Sequence, residues 1–307
     1  MIDKIRSLIG ISDLSRTDRV RILGIRIDLI TRISSVVRRD RKAQAGLLVV
    51  SLFAISAAIA PEIAPYDPQS QQFGMLQPPG MTGAHPLGTD SYGRDMLSRI
   101  MYGARTSLAV GIGAVVFGSV FGITIGLVGG YFGGWIDDVL MRFVDALWAL
   151  PWLLIAIMLT VIRGPGVWNV IIAIGFANID DFARIVRGEV LVIREEEYTL
   201  AARSIGMGSL PIIFFEVLPN AVGPIIVQFT IRLARAILAE STLSFLGIGV
   251  KPSTATWGAM LGQGRDFLVS APWISLLPGI CITITILGVN LFGDALRDAF
   301  DVRESTD

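Results

Sequence analysis

The chain has 307 residues, 52% of them hydrophobic, with a mean hydropathy of +0.64 and 26 basic side chains balancing 26 acidic ones. That apolar excess excludes an ordinary soluble domain, and no nucleic-acid partner is expected. The three lysines, Lys4, Lys42 and Lys251, do not follow a glycine, so the Gly-x-x-x-x-Gly-Lys-Ser/Thr phosphate loop is missing and ATP hydrolysis is not expected here. A single histidine, His85, and a single cysteine, Cys281, exclude a transition-metal site of their own and an internal disulfide. His85 has no obvious nucleophile partner, and no catalytic role is expected.

Residues 1–42 carry eleven Lys or Arg against five Asp, and meet the first apolar span through Arg38, Arg39, Arg41 and Lys42. This excess places the N-terminus in the cytoplasm. The segment is too long and too charged for a cleavable signal peptide. Its Ile, Leu and Val recur at helical spacing between arginines, which fits an amphipathic helix on the anionic lipid surface and fits a solvated tail equally.

Six stretches have the length and apolarity of membrane spans of roughly 20 residues. The first, residues 43–60, is uncharged, and its helix is expected to end near residue 62. Residues 63–103 form an external loop, where six prolines and five glycines between 61 and 93 predict ordered but irregular structure. A core of five helices then runs over 104–300. Residues 106–136 are uncharged, with Gly pairs near 129 and 133 marking the turn back. Residues 139–162 are apolar except for Arg142 and Asp145. Residues 164–179 must extend into DFARIVRGEVLVI to reach full length. Residues 217–250 are apolar around Arg232, Arg235 and Glu240, and residues 267–293 are uncharged. The expected fold is an all-α polytopic membrane protein of about six transmembrane helices. Six crossings return residues 301–307 to the cytoplasm, with 61–104 outside and 194–219 inside.

Within the second span, Gly118, Gly122 and Gly126 recur every four residues, so one face can approach another backbone closely. Charges inside spans are costly and so are candidates for function. Arg232 and Arg235 share a face, whereas Glu240 lies roughly 140° from Arg235 and cannot simply neutralise it. Asp145, Arg232, Arg235 and Glu240 either line a polar path for a zwitterionic solute or form buried ion pairs that fix packing.

Residues 197–220, EYTLAARSIGMGSLPIIFFEVLPN, are a polar island between apolar segments. Ala201 and Ala202 let another surface come close, Gly206 can stop their short helix in the left-handed conformation, and Pro219 after Leu218 suits the first turn of the next helix. This segment, with Glu197, Tyr198 and Arg203, resembles the cytoplasmic coupling loop (the EAA loop) of ABC importer permeases, although the family's leading Glu is Leu200 here. Residues 85–108, HPLGTDSYGRDMLSRIMYGARTSL, contain His85, Gly88, Asp90, Gly93, Arg94 and Asp95. They resemble the entry to the permease core in the dipeptide, oligopeptide and nickel branch, in the C-type subunit with an extra N-terminal span. The strings AESTLSFLGIGVKPSTATWGAML, APWISLLPG and NLFGDALRDAFD extend the resemblance to residue 301.

The resemblance implies a type I ABC importer transmembrane domain in a bacterial or archaeal cytoplasmic (inner) membrane. It implies a second homologous permease subunit, two ATPase subunits that hold ATP and Mg, and an extracytoplasmic solute-binding protein. Di- or oligopeptides are the leading cargo, with nickel or another small solute as the alternative. Asp137 and Asp138, beside Trp135, fall in a short inner loop where a second ATPase contact is conceivable. A stand-alone channel or sensor would need a pore-lining polar repeat or a signalling domain, and neither is found.

Overall fold

The computed structural model describes residues 31, 34–38, 40–80 and 83–301; the readings for residues 1–30 and for the tail beyond 301 lie outside them. Among the described residues the regular structure is helical, apart from one isolated bridge between Thr89 and Asp95. Helix α1, Arg41–Ala58, starts where the Asp40 side chain accepts the Lys42 N–H. The chain is then irregular from residue 64 to 95, as its prolines and glycines predict.

Helix α2, Met96–Phe132, begins ten residues before the expected span at 106. Asp95 caps it by accepting the Ser98 N–H at 2.8 Å, and Arg99, within the stretch expected to be loop, is buried in its first turns. Gly133, at φ +64°, ends it where the turn was expected.

The third span departs further from expectation. Instead of one helix over 139–162, α3 (Gly134–Trp148) and α4 (Trp152–Arg163) meet at 75°. Pro151 separates them, and a proline pushes the preceding residue out of the helical region. Asp137 and Asp138 therefore lie on α3 and not in a loop.

Helix α5, Val167–Ile193, extends through the charged DFARIV segment as its length requires. Its charges keep it out of the set of described helices that are long and apolar enough to cross a membrane. That set numbers four, α1, α2, Ser209–Phe245 and Trp273–Phe300, or five with the bent α3–α4 pair counted as one. The charges of α5 face neighbouring helices, where ion pairing offsets their desolvation.

The short helix α6, Glu197–Ser204, precedes α7, Ser209–Phe245. Pro219 lies in the first turn of the α-helix Leu218–Phe245, as expected, but that helix continues without a break from a turn that starts at Ser209, with Pro211 in it. A proline inside a helix clashes with the carbonyl one turn back. Here a π-helical turn, Ile213–Val217, comes immediately before the Leu218-Pro219 pair and widens that turn. Helices α8, Trp257–Gly264, and α9, Trp273–Asp301, complete the described chain.

Helices α2 and α5 form the centre and run parallel. Cβ atoms built on Gly118, Gly122 and Gly126 would lie 2.5 Å from Asn178 Cβ, 2.6 Å from the Ile179 carbonyl oxygen and 2.6 Å from the Ala183 carbonyl oxygen. The four-residue glycine row is thus the contact itself, advancing one turn on each helix per step. Helix α9 packs on α1, where Gly46 and Gly288 meet, and on α7. At 1.5 Å per residue α2 is on the order of 55 Å long, so its two ends carry spatially separate sites.

Candidate functional site

At the C-terminal end of α2, the α6 loop forms a compact step. Ala202 and Thr199 face inward, with Ala202 packed in a cluster containing Leu127, Tyr131, Val190 and Ile212. Tyr198, Leu200, Ala201, Arg203 and Ile205 face outward, Ile205 at 81% exposure. Glu197, in the first turn, complements the positive helix end. The helix ends in a two-bond stop: the Met207 N–H donates to Ala202 O (3.1 Å) and the Gly206 N–H to Arg203 O (3.0 Å), with Gly206 at φ +85°. The Arg203 guanidinium stacks over the Tyr131 ring at 5.7 Å, and Arg194 Nη1 donates to Gly130 O at 2.9 Å. These contacts tie the step to α2 and leave an apolar outer face. Burial, and then the carboxylates of Glu196 and Glu216, raise the pKa of the Tyr198 phenol, which stays neutral at physiological pH.

The sequence treats Ala201 and Ala202 as one small-residue pair, whereas the structure separates them. Ala202→Glu would bury a carboxylate in an apolar cluster, and reduced abundance of the chain in membranes is expected. Ala201→Glu should leave abundance at the wild-type level and lower uptake per assembled complex. Immunoblotting of membranes alongside uptake measures both. Equal abundance of the two variants would contradict this arrangement.

At the opposite end of α2, residues 85–95 build a platform closed by buried polar groups. Asp90 accepts the backbone N–H groups of Tyr92 (2.8 Å) and Arg94 (2.9 Å) and Arg94 Nε (2.7 Å), with Arg99 Nε at 3.4 Å. Gln263 of α8 accepts from Arg94 Nη2 at 2.9 Å and from Arg99 Nη2 at 3.2 Å. Asp95 accepts Ser98 Oγ at 2.8 Å and contacts His85 Nδ1 at 3.0 Å. The Ser98 oxygen also accepts the Tyr66 N–H, so this Ser-Asp-His set makes no nucleophile. Gly88 and Gly93 take positive φ with the carbonyls of Gln77 and Phe73 pressed against them. The six platform residues expected from the sequence come together. Gln263, about 170 positions from Arg94, carries no local sequence signal.

Between the two ends, the charges sort themselves by partner. Arg187 makes two hydrogen bonds to Asp137, at 2.6 and 2.5 Å, so Asp137 is engaged within this chain. Arg184 joins Asp180 (2.5 Å) to Asp145 (2.6 Å), and Arg232 pairs with Asp181. Arg235 is exposed on the wall of a cavity of about 460 Å3 bounded by α3, α4, α5 and α7. Glu240 is fully buried with no cationic partner among the described residues, which sets aside the ion-pair alternative for it. Ser244 Oγ donates to its Oε1 at 2.7 Å, and the hydroxyls of Ser107, Ser241 and Thr256 gather around the carboxyl. The five acids and bases of α5 were passed over in sequence, although Asp180 and Arg184 stand at the four-residue spacing of a helical ion pair.

The profile of the family described as binding-protein-dependent transport system inner membrane component matches residues 99–305, and that of the N-terminal transmembrane domain of oligopeptide transport permease C matches residues 35–79. The chain is 42% identical over 268 residues to the di/tripeptide transport system permease protein of Pseudomonas aeruginosa, covering 85% of this chain and 88% of that one. It is 42% identical over 265 residues to the dipeptide transport system permease protein of Alkalihalophilus pseudofirmus, covering 86% of each chain. The glutathione transport system permease protein of Escherichia coli is likewise 42% identical over 265 residues, covering 86% of this chain and 87% of its own. Among solved structures, an inward-facing MetNI methionine ABC transporter matches with a TM-score of 0.55 at 19% identity, covering 66% of this chain and 97% of that chain. That likeness speaks to the fold alone. With a core profile and an N-terminal profile that together span nearly all described residues, this chain belongs to the ABC importer permeases, in their oligopeptide permease C type.

Proposed function

We propose that this subunit imports di- or oligopeptides, paired with a second homologous permease, two ATPase subunits holding ATP and Mg, and an extracytoplasmic solute-binding protein. The observation that carries the coupling half of this reading is the α6 step: a short, glycine-stopped helix with Tyr198, Leu200, Ala201 and Ile205 facing outward, fixed to the far end of α2 from the platform. In this reading the step lies on the cytoplasmic side with both termini, and it docks against an ATPase. Closure of the ATPase pair on ATP moves the step, and the helix bundle exchanges the side to which its cavity opens. The platform at the other end faces the binding protein. The names of the relatives, all of them peptide or glutathione permeases, support the cargo.

Cysteine labelling tests the placement. In a Cys281→Ala background, Ser70→Cys and Ser253→Cys should react with an impermeant thiol reagent added from outside. Ser204→Cys should react only after permeabilisation, and a cross-linker placed there should capture the ATPase. Labelling of Ser204→Cys from outside would invert the topology and remove the coupling role from α6.

A further inference from the structure

The cavity between α3, α4, α5 and α7 holds donors that the protein itself does not satisfy. Its volume of about 460 Å3 falls in the range of small-ligand pockets. Asn178 lines it, is 5% exposed, and its buried Nδ2 has no acceptor among protein groups. Arg232 spends Nη2 on Asp181, but its buried Nε is also without an acceptor. Arg235, three residues on and on the same face, makes no ion pair with a described carboxylate. Buried donors left without acceptors are costly; two of them, with the exposed guanidinium of Arg235 beside them, call for a ligand that brings oxygen. The same cavity carries carboxylates: Asp181, and Asp180, which is held by Arg184. Around them stand the apolar surfaces of Trp148, Trp152 and Phe176.

A carboxylate suits the guanidinium fork of Arg235 and the unsatisfied Arg232 Nε. An ammonium suits Asp181, which faces the cavity beside Arg232. A molecule with both ends and variable side chains between them is a short peptide. We propose that this cavity reads the two termini of a peptide in transit, with Arg235, Arg232 and Asn178 receiving the carboxylate and Asp181 the ammonium. When the cavity is empty, the Arg232–Asp181 pair joins α7 to α5 and keeps those two charges matched. An entering peptide exchanges that pair for one bond to each terminus. This assignment rests on the peptide cargo proposed above.

The test uses the complete transporter, with its ATPases and binding protein, in liposomes. KM for uptake is measured with dialanine and with its C-terminal amide. The same binding protein serves every reaction, so its own selectivity cancels in ratios between variants. Arg235 has no ion-pair partner among the described residues, so Arg235→Ala should assemble normally. It should raise KM for dialanine about ten-fold and leave KM for the amide unchanged, while Arg235→Lys should restore most of the difference. Independently, Asp181→Asn should weaken uptake of dialanine relative to N-acetyl-dialanine. Equal changes for dialanine and its amide in Arg235→Ala, or no change in either, would overturn the termini assignment while leaving peptide import intact. Wild-type transporter that takes up no dialanine would overturn the cargo reading, and this assignment with it.

Discussion

A Gly206→Val subunit is expected to insert and accumulate normally but to lose nearly all uptake. Gly206 sits at φ +85° with no atom within 4 Å of the position a Cβ would take, so no clash opposes the substitution. The cost is in the backbone: the left-handed conformation is unfavourable by roughly 1–2 kcal/mol for an ordinary residue and is more strained for a β-branched one. Relieving that strain breaks the bonds from Met207 N–H to Ala202 O and from Gly206 N–H to Arg203 O, which define the end of the helix. A helix of eight residues has little stability of its own, so the outward face of Tyr198, Leu200, Ala201 and Ile205 loses its shape. The membrane core is untouched, because α6 is joined to it through Ala202 and Arg203. Uptake of peptide per assembled complex, alongside the amount of complex in detergent, is the measurement. Full uptake by Gly206→Val would remove α6 as the coupling element.

Glu240 presents the reverse case, in which assembly and not transport should fail. Its carboxyl is buried where α7, α2 and the start of α8 converge, held by Ser244 with the hydroxyls of Ser107 and Thr256 close by. Ser107 Oγ and Thr256 Oγ1 accept the backbone N–H groups of Trp257 and Ala259, which leaves their hydroxyl hydrogens free to point at the carboxyl. Glu240→Ala removes the acceptor of the Ser244 hydroxyl and opens a cavity, a change worth about 2–5 kcal/mol. The subunit should then accumulate poorly. Glu240→Gln keeps the volume and one carbonyl acceptor, so it should assemble close to wild type and transport normally once assembled. Normal assembly of Glu240→Ala with lost uptake would move Glu240 from the packing of the bundle to the translocation path.

The polar centre of the molecule was the part least legible in the sequence. Asp145, Arg232, Arg235 and Glu240 could be flagged, because charge in an apolar run is costly wherever it points. Their fates could not be told apart. Arg232 meets Asp181 on another helix, Asp145 meets Arg184, Arg235 faces a cavity, and Glu240 is met only by hydroxyls. The partners of Asp145 and Arg232 lie 39 and 51 positions away, and Arg235 depends on an interhelical gap, none of which leaves a mark in local periodicity. The glycine stop after α6 was legible because its cause is local: the left-handed turn after the helix is made within five residues.

By itself, the amino-acid sequence determined the helical membrane class, the close-packing glycine row of α2, the irregular Pro/Gly-rich segment before α2 and the glycine stop after α6. These rest on hydrophobic run length, small-residue spacing and the backbone preferences of glycine and proline, which act over a turn or two of chain. Only the tertiary structure decided that α2 begins at Met96 and that a π-turn joins the helix opened by Leu218-Pro219 to the turn from Ser209. It also separated Ala201 from Ala202 and brought Gln263 to the paired arginines of the platform. Those features follow from which helix faces meet, because a buried charge or an interrupted backbone bond is satisfied only by a neighbour that the fold supplies.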